Sequence, residues 1–103
     1  MVSKYLEKRV EIIPDGDMGN TGVPLELEYY LVESDVDMTE DIPEEKTYGI
    51  EIVKKTENRN IENEMIRNLC YNKGCAMDIL NKLVYNTVTP VELPFVIDDL
   101  LGV

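Results

Sequence analysis

The chain has 103 residues, 44% hydrophobic and 30% charged, with 21 acidic against 10 basic side chains and a net charge of -11. This length and balance predict one soluble domain with a modest core and exclude a disordered chain. The acidity argues against nucleic acid and anionic membrane as partners, since both are held by Lys and Arg neutralising phosphate, and leaves solubility, cations or a basic protein as what it serves.

The start, M-V-S-K-Y-L-E-K-R-V-E-I-I, is charged every two or three residues, and no window approaches the ~20 apolar residues of a membrane span. Together with only two cysteines, this predicts a cytoplasmic, reduced protein.

Tyr5 to Ile13 reads as an edge strand with Leu6, Val10 and Ile12 on its inner face, interrupted by Lys8. Pro14 to Val23, rich in Gly, Asp and Asn, is a connecting loop, because these residues tolerate positive φ or bond back to their own backbone. From Leu25 to Val32 the alternation is clean. Leu25, Leu27, Tyr29 and Leu31 point inward, and Glu26, Glu28, Tyr30 and Val32 point to a wet outer face. Glu33 to Glu45 is dense in acid without a base and reads as a solvated loop.

Tyr48 to Lys55 is a third strand, with Tyr48, Ile50 and Ile52 inward and Glu51, Val53 and Lys55 outward. Thr56 to Asn60 turns the chain back. Ile61 to Cys70 alternates more weakly, with Met65 and Leu69 set against Ile66, and it also fits a short helix; the hairpin context favours a strand. After Asn72-Lys73-Gly74, the residues Ala76, Ile79, Leu80, Leu83 and Val84 form one stripe of an amphipathic helix. Thr87-Val88 ends it. Thr89-Pro90-Val91-Glu92 supplies an N-cap, a first-turn proline and the glutamate of a capping box, and a second stripe follows through Leu93, Val96, Ile97, Leu100 and Leu101. Pro94 places the start of the regular helix near itself.

The segments Y-Y-L-V-E-S (Tyr29 to Ser34), Y-G-I-E-I (Tyr48 to Ile52), V-T-P-V-E-L (Val88 to Leu93) and V-I-D-D-L-L (Val96 to Leu101) together resemble a small domain-of-unknown-function family of clostridia and related Firmicutes. These motifs are strand cores and a helix cap, so the resemblance implies a compact bacterial domain and assigns no reaction or ligand.

The candidate chemistry is sparse. Asp15, Asp17 and Glu26 occupy positions 1, 3 and 12 of a calcium loop, but Gly19 and Asn20 reverse the order that the loop turn needs. Cys70 and Cys75 offer two soft ligands where a closed zinc site needs four and the chain has no histidine, so they read as thiols with, at most, some redox sensitivity. Asp98 and Asp99 are adjacent on a helix and diverge by about 100°, which rules out a shared-proton dyad and makes them a polar face.

The expected architecture is α+β: a four-stranded antiparallel meander with two C-terminal helices on one face, in the order β-β-β-β-α-α. No cofactor is called for. The expected function is a non-enzymatic protein-interaction or regulatory module that binds a protein or a second copy of itself. The contact residues expected are Tyr30, Val32 and Val53 on the outer sheet face, an aromatic with aliphatic neighbours among acids. Cation binding through residues 15–26, and an enzyme using carboxylate or tyrosine chemistry, are the alternatives.

Overall fold

The computed structural model describes residues 2–12, 24–35, 46–56 and 60–101. Strands β1 (Val2–Ile12), β2 (Leu25–Asp35), β3 (Lys46–Thr56) and β4 (Ile61–Cys70) pair antiparallel in that spatial order, and helices α1 (Lys73–Tyr85) and α2 (Leu93–Leu101) follow. This is the expected α+β meander. β2 and β3 run beyond their expected ends because Ser34 and Thr47 continue the pairing, while Lys46 Nζ sits 2.9 Å from Glu33. The Pro14 to Val23 loop, most of the acidic stretch after Asp35 and the tip of the β3–β4 hairpin lie outside the described residues.

Alternation places Leu27, Tyr29 and Leu31 of β2 beside Ile50 and Ile52 of β3, all fully buried. α1 lies across β2, β3 and β4 and adds Ala76, Ile79, Leu80 and Leu83, while α2 contributes Leu93 and Ile97 to the same cluster. Both helices therefore lie on one side of the sheet, but the α2 stripe packs on the core through Leu93, Val96 and Ile97, while Leu100, expected inside, is exposed near the helix end. Val10, Ile12, Leu25 and Tyr48 close its margins.

Two bulges alter which side chains face the core. Leu6 pairs with Tyr30 but Lys8 pairs with Tyr29, so Glu7 is an extra residue and every side chain before it changes face. Leu6, expected inside, consequently stands on the outer face and is 45% exposed. On β4, Ile66 pairs with Ile50 and Cys70 with Tyr48, which leaves two extra residues on β4 and puts Asn68 at φ 59°. Ile66 and Leu69 thus both pack on the core and Met65 faces outward beside Glu51, where unbroken alternation had grouped Met65 with Leu69. The bulge rides over Gly49. A Cβ there would collide with the carbonyl oxygen of Ile66 and lie 2.8 Å from Arg67 Cα.

Asn72 caps α1, its Oδ1 accepting from Cys75 N at 3.2 Å. The helix ends in a Schellman motif: Val88 N donates to Leu83 O and Thr87 N to Val84 O, with Thr87 at φ 51° in the left-handed region. The capping box ahead of α2 forms in part. Glu92 Oε1 accepts from Thr89 N at 3.2 Å and from the Thr89 hydroxyl at 2.8 Å, a short turn covers Pro90 to Glu92, and the regular helix starts at Leu93. Those two bonds from Thr89 hold the Glu92 carboxyl below the usual carboxylate range.

Candidate functional site

The uncovered side of the sheet is built from alternate residues of all four strands, and its expected wetness is not what the structure shows. Glu28, Val32, Ser34, Thr47 and Glu51 are all buried there. Long side chains from the flanking strands fold over them. Glu28 accepts from Arg9 of β1 at 3.1 Å and from the Tyr30 hydroxyl at 3.0 Å, and pairs with Lys55 of β3 at 3.0 Å. Burial pushes the Glu28 carboxyl up, but the bonds from Lys55, Tyr30 and Arg9 outweigh it and hold the group below the usual carboxylate range.

Glu51 is the second buried acid. Lys4 reaches it from β1, across β2, at 2.8 Å, and Asn63 of β4 donates to its other oxygen at 3.0 Å. On the way Lys4 Nζ passes 5.5 Å from the Tyr30 ring centroid. The hydrogen bond to Glu51 raises the Lys4 ammonium above its ordinary value against a smaller desolvation effect. At the far end the β4 bulge supplies the cover: Arg67 Nε donates to Ser34 Oγ at 3.3 Å and Thr47 Oγ1 donates to Asn68 Oδ1.

These contacts place the residues expected to bind a partner. Val32 is fully buried and holds the network from beneath. Tyr30 is half-buried with its hydroxyl engaged by Glu28, and Val53 is half-buried opposite Glu28. Leu6, brought to this face by the Glu7 bulge, pairs directly with Tyr30 and is the most open apolar group beside it.

A second exposed apolar surface lies on α2 and the turn that precedes it. Val91 is 69% and Phe95, the single phenylalanine, 71% exposed. Within the helix, Phe95 lies three and four residues from the exposed Asp98 and Asp99 and so shares a face with them. The signal was present in the sequence: Phe95 lies two residues from both Leu93 and Ile97, about 200° around the helix and so opposite the buried stripe.

Elsewhere, an open hollow of about 410 Å³ lies at one end of the sheet, lined by Glu11, Ile12, Pro24, Leu25, Glu26, Lys55 and Thr56. Two of its charged groups are ion-paired, Glu26 with Arg9 and Lys55 with Glu28. Of the calcium-loop residues, Asp15 and Asp17 lie outside the described residues; among the described residues no group of three or more acidic or cysteine side chains is arranged to hold a metal. Cys70 and Cys75 are free thiols in contact, Sγ to Sγ 2.7 Å. Among the described residues no helix is long and apolar enough to cross a membrane.

The profile of a family of unknown function, DUF6514, matches residues 8–103, and the chain belongs to that family. No curated protein and no solved structure matches it.

Proposed function

For this family member we propose a non-enzymatic protein-interaction module whose contact surface is the outward face of α2 and the turn before it, with Phe95 and Val91 as anchors and Asp98 and Asp99 at the rim. The observation that carries the proposal is the exposure of Phe95. An aromatic ring left in water on a helix whose Leu93 and Ile97 are already used by the core is apolar area that a partner would remove from solvent. Acidic neighbours and a net charge of -11 select a partner whose apolar groove is edged with Lys or Arg. A cytoplasmic setting in clostridia or related Firmicutes accompanies this proposal, supported by the sequence resemblance and by a cysteine count of two.

A second surface is favoured by the position of Leu6. Together with Tyr30 and Val53 it forms an apolar strip on the outer sheet face between the ion pairs.

Cross-linking pull-downs from the source cell with wild type, Phe95→Glu and Leu6→Glu separate the two. Both positions are exposed, so both variants keep the fold. The α2 surface is supported by a partner with a basic interface that is released by salt and lost with Phe95→Glu, at roughly 30-fold weaker binding or more. Loss with Leu6→Glu alone moves the contact to the sheet. A chain that is a strict monomer by light scattering and captures nothing overturns both.

A further inference from the structure

The two cysteines are five residues apart in sequence, Cys70 at the last position of β4 and Cys75 in the first turn of α1. Strand end, two-residue bend and capped helix start return the chain on itself. The two sulfurs meet at 2.7 Å, inside the separation of non-bonded sulfur atoms, while both remain free thiols. Their surroundings differ. Cys70 is buried in the core cluster, and Cys75 is exposed to solvent. Burial, with Cys75 alongside, pushes the Cys70 thiol up to about 12. The chain has no other cysteine to compete, and no third soft ligand stands beside them among the described residues.

We propose that Cys70 and Cys75 are a thiol–disulfide site that reacts with a low-molecular-weight disulfide and, once oxidised, fastens the end of β4 to the first turn of α1. Cys75, the accessible sulfur, attacks one sulfur of the small disulfide as thiolate, breaking its S–S bond, forming a mixed disulfide and expelling one small thiolate. Cys70 then attacks Cys75 Sγ. The second small thiolate leaves and takes up the Cys70 proton, and the Cys70–Cys75 bond forms. Two protein thiols give up two electrons and two protons, and one small disulfide becomes two thiols. Burial keeps Cys70 from reacting with the small disulfide first, and its contact with Cys75 sets it in place to resolve the mixed disulfide within a single chain.

The test treats the full folded chain with oxidised glutathione and follows intact mass, non-reducing gel mobility and melting temperature. The expected wild-type product is a monomer about 2 Da lighter, without retained glutathione, melting above the reduced form. Cys70→Ala should retain one glutathione on Cys75, and Cys75→Ser should remain unmodified at the buried Cys70. Cys70→Val gives the same readout where the core requires volume. A wild-type chain that keeps a stable glutathione adduct, forms cross-linked dimers, stays unmodified, or closes the bond only after unfolding in urea overturns the proposal.

Discussion

The Tyr29 hydroxyl donates a hydrogen bond to the carbonyl oxygen of Val88 at 2.9 Å, joining the middle of β2 to the turn between the two helices. Both residues are buried, so water cannot take over if the donor is removed. Tyr29→Phe keeps the ring and leaves the Val88 carbonyl without this partner, which should cost about 1–3 kcal/mol in urea denaturation.

The same hydroxyl makes the fold sensitive to base. Burial, helped by the negative charge of Glu92, pushes Tyr29 up to about 12, whereas an unfolded tyrosine ionises near 10. Below about pH 10 both states hold the proton and the contribution is complete. Between about pH 10 and 12 the unfolded chain releases it first, so stability falls as pH rises through that window. Over this range wild type should lose more stability than Tyr29→Phe, and equal slopes would show that the hydroxyl is not buried as described.

Glu28 gives the opposite dependence. Its carboxyl is held below the usual range, so its contribution is present above the unfolded value near 4.3 and is lost as pH falls through the folded value. Glu28→Gln should lower stability at pH 7 by about 1–3 kcal/mol, because Arg9 and Lys55 remain partly solvated and are not stranded. Its acid limb should also be flatter than that of wild type. Chemical denaturation repeated from pH 7 to pH 2.5 reads both.

Gly49 is required for space. Because the obstructing atoms are the β4 backbone, Gly49→Ala cannot be absorbed by a side-chain rotation and should cost about 3 kcal/mol, with faster amide exchange along the β3–β4 pairing. Exchange that is unchanged in the variant would mean that the bulge does not ride over this residue.

Thr87 presents the reverse case. It occupies the left-handed position of a Schellman motif, where a β-branched side chain is strained and glycine is the common occupant. Thr87→Gly should therefore raise stability by about 1 kcal/mol, visible as a higher melting temperature.

The strand and helix order was legible because alternation at Leu25 to Leu31 and the stripe from Ala76 to Val84 each point to one period. Bulges were not. Nothing in L-E-K marks Glu7 as an extra residue, and a slip of one position sends Leu6 to the other face, so the error concerns register while the strand itself was identified. The outward side of β2 was read from residue type, and Glu26, Glu28, Tyr30 and Val32 do face that way. That Val32 and Glu28 are nevertheless buried depends on Lys4, Arg9 and Lys55 reaching over from neighbouring strands, a tertiary effect that no local pattern carries. Phe95 was legible, because its spacing from Leu93 and Ile97 puts it opposite the buried side of α2.

Both outermost strands of the sheet are interrupted, β1 at Glu7 and β4 at Arg67 and Asn68, and β1 also carries Lys4, Lys8 and Arg9 along its rim. A neighbouring molecule meeting either rim finds the run of free amides and carbonyls broken partway, and at β1 it must also approach fixed charge. Crowded copies of this chain are accordingly hindered from stacking strand upon strand into fibrils, even though β strands make up most of the described residues.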